Sequence, residues 1–209
     1  MKLLLAGATG LVGRHLLEKA IADPRVTSVV CPVRRPLPAR AKLLAPVVDF
    51  DQLPTDAAWW KADAALCALG TTMAVAGSRE AFYRVDHDYP LALARHALAA
   101  GTPTFVLNSA LGANAASAIF YNRVKGEVER NIASLGFASL TLVRPGLIGG
   151  VRDSHRPAEQ ASIFIVRALG RLLPRRLRIN PAAKIAEAML DAALAGRPGQ
   201  HVVDAADLC

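Results

Sequence analysis

Cysteine is scarce in this chain: Cys31, Cys67 and Cys209 stand far apart, with no CxxC pair. That spacing excludes a disulfide framework and a cysteine zinc site, and it fits free thiols in a reducing compartment. The five histidines are just as scattered and make no metal-ligand pattern, so no metal is expected. Long apolar runs are missing too. Met1-Lys2-Leu3-Leu4-Leu5 looks like the start of a secretion signal, but glycines and Arg14 cut the apolar stretch short. Residues 97–122 carry no charged side chain, yet Pro103, Asn108, Ser109, Gly112 and Asn114 fall inside that run. Their polar groups would go unpaired in lipid, which argues against a spanning helix. The expectation from these absences is a cytoplasmic protein, cytosolic and without a membrane partner.

What is present suits one well-buried domain over residues 1–209. The chain is 53% hydrophobic, long enough for one core, and shows no repeat, low-complexity tract or linker. The net charge of +8 is unevenly placed, with seven arginines against two acids in residues 152–178. A nucleic acid could use such a patch, but no recognition motif or interleaved aromatic accompanies it, so that partner is disfavoured. A solvated face, or a site for an acidic substrate, explains it equally well. Within and beside it, Arg171, Arg175, Arg176 and Arg178 could hold a phosphate or carboxylate.

Short β-like runs alternate with amphipathic helical runs, which predicts an α/β fold with a parallel sheet. Strands are expected at Lys2–Ala6, Val26–Cys31, Ala45–Val48, Ala64–Ala68, Thr104–Leu107, Leu140–Val143 and His201–Val203. Helices are expected over Leu11–Ala22, over residues 78–100 with a kink at Pro90, over Ala116–Leu135, and from Asn180-Pro181 to about Ala195. Ile163, Val166, Leu169 and Leu173 make one more apolar helix stripe, read as core. Trp59-Trp60 is expected to cover the sheet edge, and Cys31 and Cys67 to be small core residues.

Gly7-Ala8-Thr9-Gly10-Leu11-Val12-Gly13 follows the first strand and opens the first helix. Glycines permit a tight turn and close approach of backbone to phosphate, and the helix N-terminus offers free N–H groups and a partial positive charge. The spacing is GxxGxxG rather than GxGxxG. Gly7, Thr9, Gly10, Leu11, Val12 and Gly13 are therefore the candidate cradle of a dinucleotide pyrophosphate. NAD-binding versions place an acid about 20 residues beyond the turn, on the ribose 2′-OH. Here the second strand runs out into Cys31-Pro32-Val33-Arg34-Arg35 with no acid in reach. Two guanidinium groups suit a 2′-phosphate, so NADP(H) is favoured, with NAD(H) as the alternative.

Tyr121 and Lys125 are spaced i and i+4 at the start of a helix, so both can point into one cleft. Ser109 sits just past the fifth strand, where strand ends meet the cofactor crevice. Those three groups suit carbonyl chemistry: a hydroxyl polarises the carbonyl, a tyrosine exchanges the proton, and a lysine eases its loss and holds a ribose.

With these residues the chain resembles the atypical short-chain dehydrogenase/reductase superfamily over nearly its whole length. Cys67-Ala68-Leu69-Gly70-Thr71-Thr72, Val85-Asp86-His87-Asp88-Tyr89, Tyr121–Glu127 and Arg144-Pro145-Gly146 are similar to its Tat-interacting-protein-like branch of NADPH-binding oxidoreductases. The resemblance implies a Rossmann-type doubly wound parallel sheet with helices on both faces and a short C-terminal substrate region, near residues 151–180. It implies a Ser109/Tyr121/Lys125 catalytic triad. It also implies that Leu69-Gly70-Thr71 borders the cofactor, that Asp49 and Phe50 flank the adenine, and that Pro145 packs near the nicotinamide. The asparagine common in the superfamily's fourth helix is replaced near Asp86, which weakens the case for a full proton relay. The expected activity is hydride transfer to or from a small carbonyl or alcohol. The alternative is a catalytically silent NADPH-sensing regulatory protein. A homodimer is compatible with the fourth and fifth helices pairing across a two-fold axis.

Overall fold

The first strand, β1 (Lys2–Ala6), is an unbroken apolar run rather than an alternating one, the pattern of a strand covered on both faces. The computed structural model, which describes residues 1–149 and 174–209, places it inside a seven-stranded sheet. The other strands are β2 (Ser28–Val30), β3 (Leu43–Leu44), β4 (Ala64–Cys67), β5 (Thr104–Asn108), β6 (Ser139–Arg144), β7 (Ile148–Gly149), β8 (Asn180–Pro181) and β9 (Gly199–Asp204). The sheet order is β3-β2-β1-β4-β5-β6-β9, with every neighbouring pair parallel, and β7 pairs with β8 apart from it. The order reverses between β1 and β4, which is where ligands sit in open α/β sheets. This is the Rossmann-type doubly wound fold that the sequence predicts.

The helices are α1 (Leu11–Ala22), α2 (Met73–Ala76), α3 (Arg79–Tyr83), α4 (Tyr89–Ala99), α5 (Phe120–Ala133) and α6 (Ala182–Ala195). Successive side chains of a strand point to opposite faces, and β1 shows both layers being fed from one run. Leu3 and Leu5 join Leu16 of α1 and Ile185 and Met189 of α6. Leu4 and Ala6 join Leu93 of α4 and Val128 and Ile132 of α5. Trp60 belongs to that second layer rather than to a sheet edge: it is fully buried, its ring stacked 4.8 Å from that of His96.

Several expected boundaries shift, each for a local reason. The third strand covers Leu43–Leu44 instead of Ala45–Val48, because Pro46 has no N–H to continue the ladder; only a single bridge, Val33 to Val47, forms beyond it. The fifth helix begins at Phe120, not Ala116. The Ala116 N–H donates to Asn114 Oδ1 and the Ile119 N–H to Ser117 Oγ, turns that compete with helix. Residues 79–99 do form one uninterrupted helical run capped by Ser78, but its irregularity is a π turn: α3 passes into a π turn over Arg84–Asp88, and α4 follows with Pro90 in its first turn. A proline ring clashes with the carbonyl four residues back, here that of Asp86, and the widened turn accommodates it. Most of the expected substrate-side segment, including the Ile163–Leu173 stripe and Arg171, lies outside the described residues.

Met189 is fully buried where α6 meets α1 and the sheet. Met189→Ala is expected to cost about 2–5 kcal/mol. Urea unfolding checks this as a lowered midpoint with an unchanged slope.

Candidate functional site

At the end of β1 the chain turns through Gly7, whose φ of +87° is open only to glycine without strain. A Cβ there would lie 2.6 Å from the Ala68 carbonyl carbon, so β1 and β4 approach too closely for any side chain. Gly13 is equally constrained, since a Cβ would run into the Gly7 carbonyl oxygen. Gly10 precedes α1 and its N–H donates to Gly7 O at 3.0 Å. The first turn of α1 carries no acid and no side-chain cap, and Thr9 and Gly10 are exposed beside it. Its first N–H groups are thus left for an anion from outside.

A cleft of 460 Å³ runs from this turn across the carboxyl ends of β4, β5 and β6. Its walls include Gly10, Leu11 and Val12, then Leu69, Gly70 and Thr71, then Ser109, Tyr121 and Lys125. All three members of the expected triad therefore face one space. Ser109 is buried, and its hydroxyl has no hydrogen-bond partner among the described residues. Buried polar groups are almost always paired, so an orphan on a residue that lines a cleft is a candidate contact for a ligand. Asn108, the last residue of β5, repeats the pattern: it lines the cleft, and its Oδ1 is buried and unpartnered. Sequence reasoning missed Asn108, although its place directly before Ser109 at a strand end was a usable signal.

Lys125 is 5% exposed, and its Nζ lies 2.8 Å from Oδ1 of Asp86, which is 1% exposed. The other oxygen, Asp86 Oδ2, accepts the Thr71 N–H at 2.8 Å. Burial pulls the lysine toward neutrality and is the largest single effect on it. The Asp86 carboxylate, with smaller contributions from Tyr121 and Cys67, outweighs burial, and the net shift is upward. Lys125 therefore stays charged at neutral pH. The substitution near Asp86 noted in the sequence is not a gap: the carboxylate is the anchor of the lysine.

Two contacts set α5 against the strand ends. Gly126 lies under the loop after β5, and a Cβ there would collide with the backbone of Asn114 and Ala115. Behind Tyr121, Phe82 is fully buried with ring centroids 5.7 Å apart. Beyond β6, the Gly146 N–H donates to Oδ1 of fully buried Asn180, whose Nδ2 donates to Ala205 O. The remaining sequence candidates stand outside the cleft walls. Arg34 and Arg35 are exposed beyond β2, and Asp49 is exposed. Phe50 is buried against Tyr89, with centroids 5.5 Å apart. Pro145 is buried next to Gly146, which does line the cleft. Burial pushes the Cys31 and Cys67 thiols up to about 12, which agrees with their reading as inert core residues.

Asp86→Asn leaves a buried ammonium without its counter-charge, a loss expected to cost about 3–5 kcal/mol at neutral pH. The pH dependence should also change sign. In the native protein the raised lysine contributes stability in full below the ordinary lysine range and loses it as pH rises through the shifted value. In the variant burial acts alone, the folded state prefers neutral lysine, and stability climbs toward alkaline pH. Chemical denaturation from pH 7 to 10 distinguishes the two slopes.

No family model matches the chain. The protein fmp52 of Emericella nidulans, named as mitochondrial, is 40% identical over 178 residues, spanning 80% of this chain and 76% of that protein. FMP52 of Eremothecium gossypii, also named as mitochondrial, is 34% identical over 177 residues, spanning 84% and 78%. Among solved structures, MoeE5 in complex with UDP-glucose and NAD matches with a TM-score of 0.71 at 19% identity, over 97% of this chain and 75% of that one. Human epimerase family protein SDR39U1 with NADPH matches with a TM-score of 0.64 at 17% identity, over 98% and 74%. At those identities the structures show a shared fold. The expected cytosolic location is overturned by the relatives, which are named as mitochondrial proteins. Free thiols report a reducing environment, and that property does not single out the cytosol. At 40% identity across 76% of a relative's length, the chain belongs to the Fmp52 family.

Proposed function

We propose that this chain is an NADP(H)-binding oxidoreductase that moves a hydride to or from a small carbonyl or alcohol, with Tyr121 as general acid and base. The observation that carries this reading is one cleft holding the open glycine turn, the orphaned Ser109 hydroxyl, and Tyr121 beside charged Lys125. The finer likeness to the Tat-interacting-protein-like branch is part of the same proposal and rests on the motifs quoted for it. Two fold neighbours were solved with NAD and with NADPH, which supports a nicotinamide dinucleotide as the ligand.

The residues fit that ligand. The close backbone approach at Gly7 and Gly13 leaves a turn without side chains, and the uncapped start of α1 suits a pyrophosphate. Arg34 and Arg35 take part in no ion pair among the described residues, so both guanidinium groups are available to a 2′-phosphate. A bound nicotinamide dinucleotide supplies the hydride. Ser109 Oγ donates to the carbonyl oxygen and holds it, and the Tyr121 hydroxyl delivers the proton to that oxygen. Lys125, kept cationic by Asp86, stabilises the phenolate left behind, and its other N–H groups are free to hold ribose hydroxyls. In the reverse direction the phenolate takes the alcohol proton.

NADPH should bind at least about tenfold tighter than NADH, a difference of about 1.4 kcal/mol. The double variant Arg34→Ala/Arg35→Ala should lose that preference while keeping its NADH affinity. Calorimetric titration reads both, and equal or tighter NADH binding by the native protein would refute the role of the arginines.

Tyr121→Phe should lower turnover by roughly 10²–10⁴-fold with NADPH affinity unchanged. A native protein as inactive as the variant across a carbonyl panel would favour the silent, NADPH-sensing alternative.

A further inference from the structure

The end of β5 divides the polar groups of the cleft between two faces of the sheet. Val106 belongs to the layer that holds α1, and Leu107 to the layer that holds α5. The ladder runs one residue past the strand, since the Ser109 N–H donates to Val143 O at 2.7 Å. Side chains alternate along such a ladder. Ser109 therefore falls on the α5 face with Tyr121 and Lys125, and Asn108 on the α1 face with its register partner Val143.

Asn108 is the polar residue that the carbonyl chemistry leaves unused. It lines the cleft with Gly10, Leu11 and Val12 of the glycine turn and with Gly146 and Leu147 beyond β6. Its Oδ1 is buried without a partner among the described residues, and such an acceptor costs free energy until a donor reaches it. A half-turn about χ2 exchanges oxygen and nitrogen at constant volume, so the side chain can present that acceptor to the cleft. A substrate carbonyl brings no donor. A nicotinamide brings one, the N–H of its carboxamide, which stands on the ring carbon next to the reacting one. The hydride passes between that ring and the carbonyl held by Ser109, so the carboxamide has to find its partner at this strand end. Ser109 and Tyr121 claim the α5 face for the substrate. The α1 face, where the phosphate turn also lies, is left for the carboxamide. A carboxylate at position 108 would accept too, but it would set a negative charge in the cleft that receives the phosphates; a neutral amide accepts without it.

We propose that Asn108 is a positioning residue for the cofactor. It accepts a hydrogen bond from the carboxamide N–H of a bound nicotinamide, and that bond fixes which face of the ring meets the substrate. The proposal rests on the nicotinamide-dinucleotide reading of the cleft. NADP⁺ and its 3-acetylpyridine analogue test it without turnover, because the analogue differs only in a methyl group where the carboxamide has its nitrogen. In calorimetric titrations the native protein should bind NADP⁺ at least about fivefold tighter than the analogue. In Asn108→Ala that ratio should fall to about twofold or below. A partly folded variant weakens both ligands by the same factor, so the ratio still reads the contact. Equal binding of the two ligands by the native protein overturns the proposal, as does a ratio that Asn108→Ala leaves unchanged; either result keeps the dinucleotide reading. A native protein that binds neither NADP⁺ nor NAD⁺ overturns both.

Discussion

The buried contact between Lys125 and Asp86 is the interaction around which the cleft is arranged. Moving two charges out of water costs several kcal/mol for each ion, and close approach with further hydrogen bonds is needed to offset it. Both conditions are met: the pair is 2.8 Å apart, and the second carboxylate oxygen takes the Thr71 N–H. One carboxylate thereby joins the loop after β4, the π turn and α5. Gly70 lies against the pair: a Cβ there would sit in ordinary contact, 3.4 Å from Asp86 Oδ1 and 3.9 Å from Lys125 Nζ. The chain of cause begins with Pro90, which cannot follow a regular helix; the widened turn before it carries both Asp86 and His87 inward. His87 then meets Asn131 of α5 through Nε2, so two consecutive residues of the turn grip one helix.

On α5 the residues Tyr121, Lys125 and Glu129 follow at intervals of four and form one stripe. Glu129 is buried and paired with Arg144 at the end of β6. The helix is therefore pinned by ion pairs on either side of the cleft, to the π turn at Lys125 and to the sheet at Glu129. Gly126 lets the loop after β5 lie directly on the helix between those pins. That seat fixes the strand end carrying Asn108 and Ser109 against the turn carrying Tyr121. A Lys-Gly-Glu sequence that reads as a motif is thus a packing solution: charge anchor, close approach, and the start of the next turn.

The fold was legible because parallel strands covered on both faces leave continuous apolar runs, as in Leu3-Leu4-Leu5 and Ala64-Ala65-Leu66-Cys67. The meeting of Ser109, Tyr121 and Lys125 on one cleft was legible because they lie close in sequence, at one strand end and on one helix turn. Asp86 was noticed only as a departure from a pattern. Its contact with Lys125 spans 39 positions and depends on a π turn, for which apolar periodicity holds no signal. Boundaries failed where side chains competed with the backbone, at Asn114 and Ser117, or where Pro46 removed a donor. Location failed because cysteine usage reports redox state, a property that compartments share.

The placement of charge around the cleft ties these observations together. Arg34 and Arg35 are exposed beyond the carboxyl end of β2 and take part in no ion pair among the described residues. Where Tyr121 and Lys125 line the cleft, by contrast, the cation is matched by Asp86. The buried ion pair places an ammonium on the same helix face as the Tyr121 phenol while its charge is balanced by Asp86. An unpaired lysine there would either lose its proton to burial or attract anions into the cleft, and the Asp86 carboxylate prevents both.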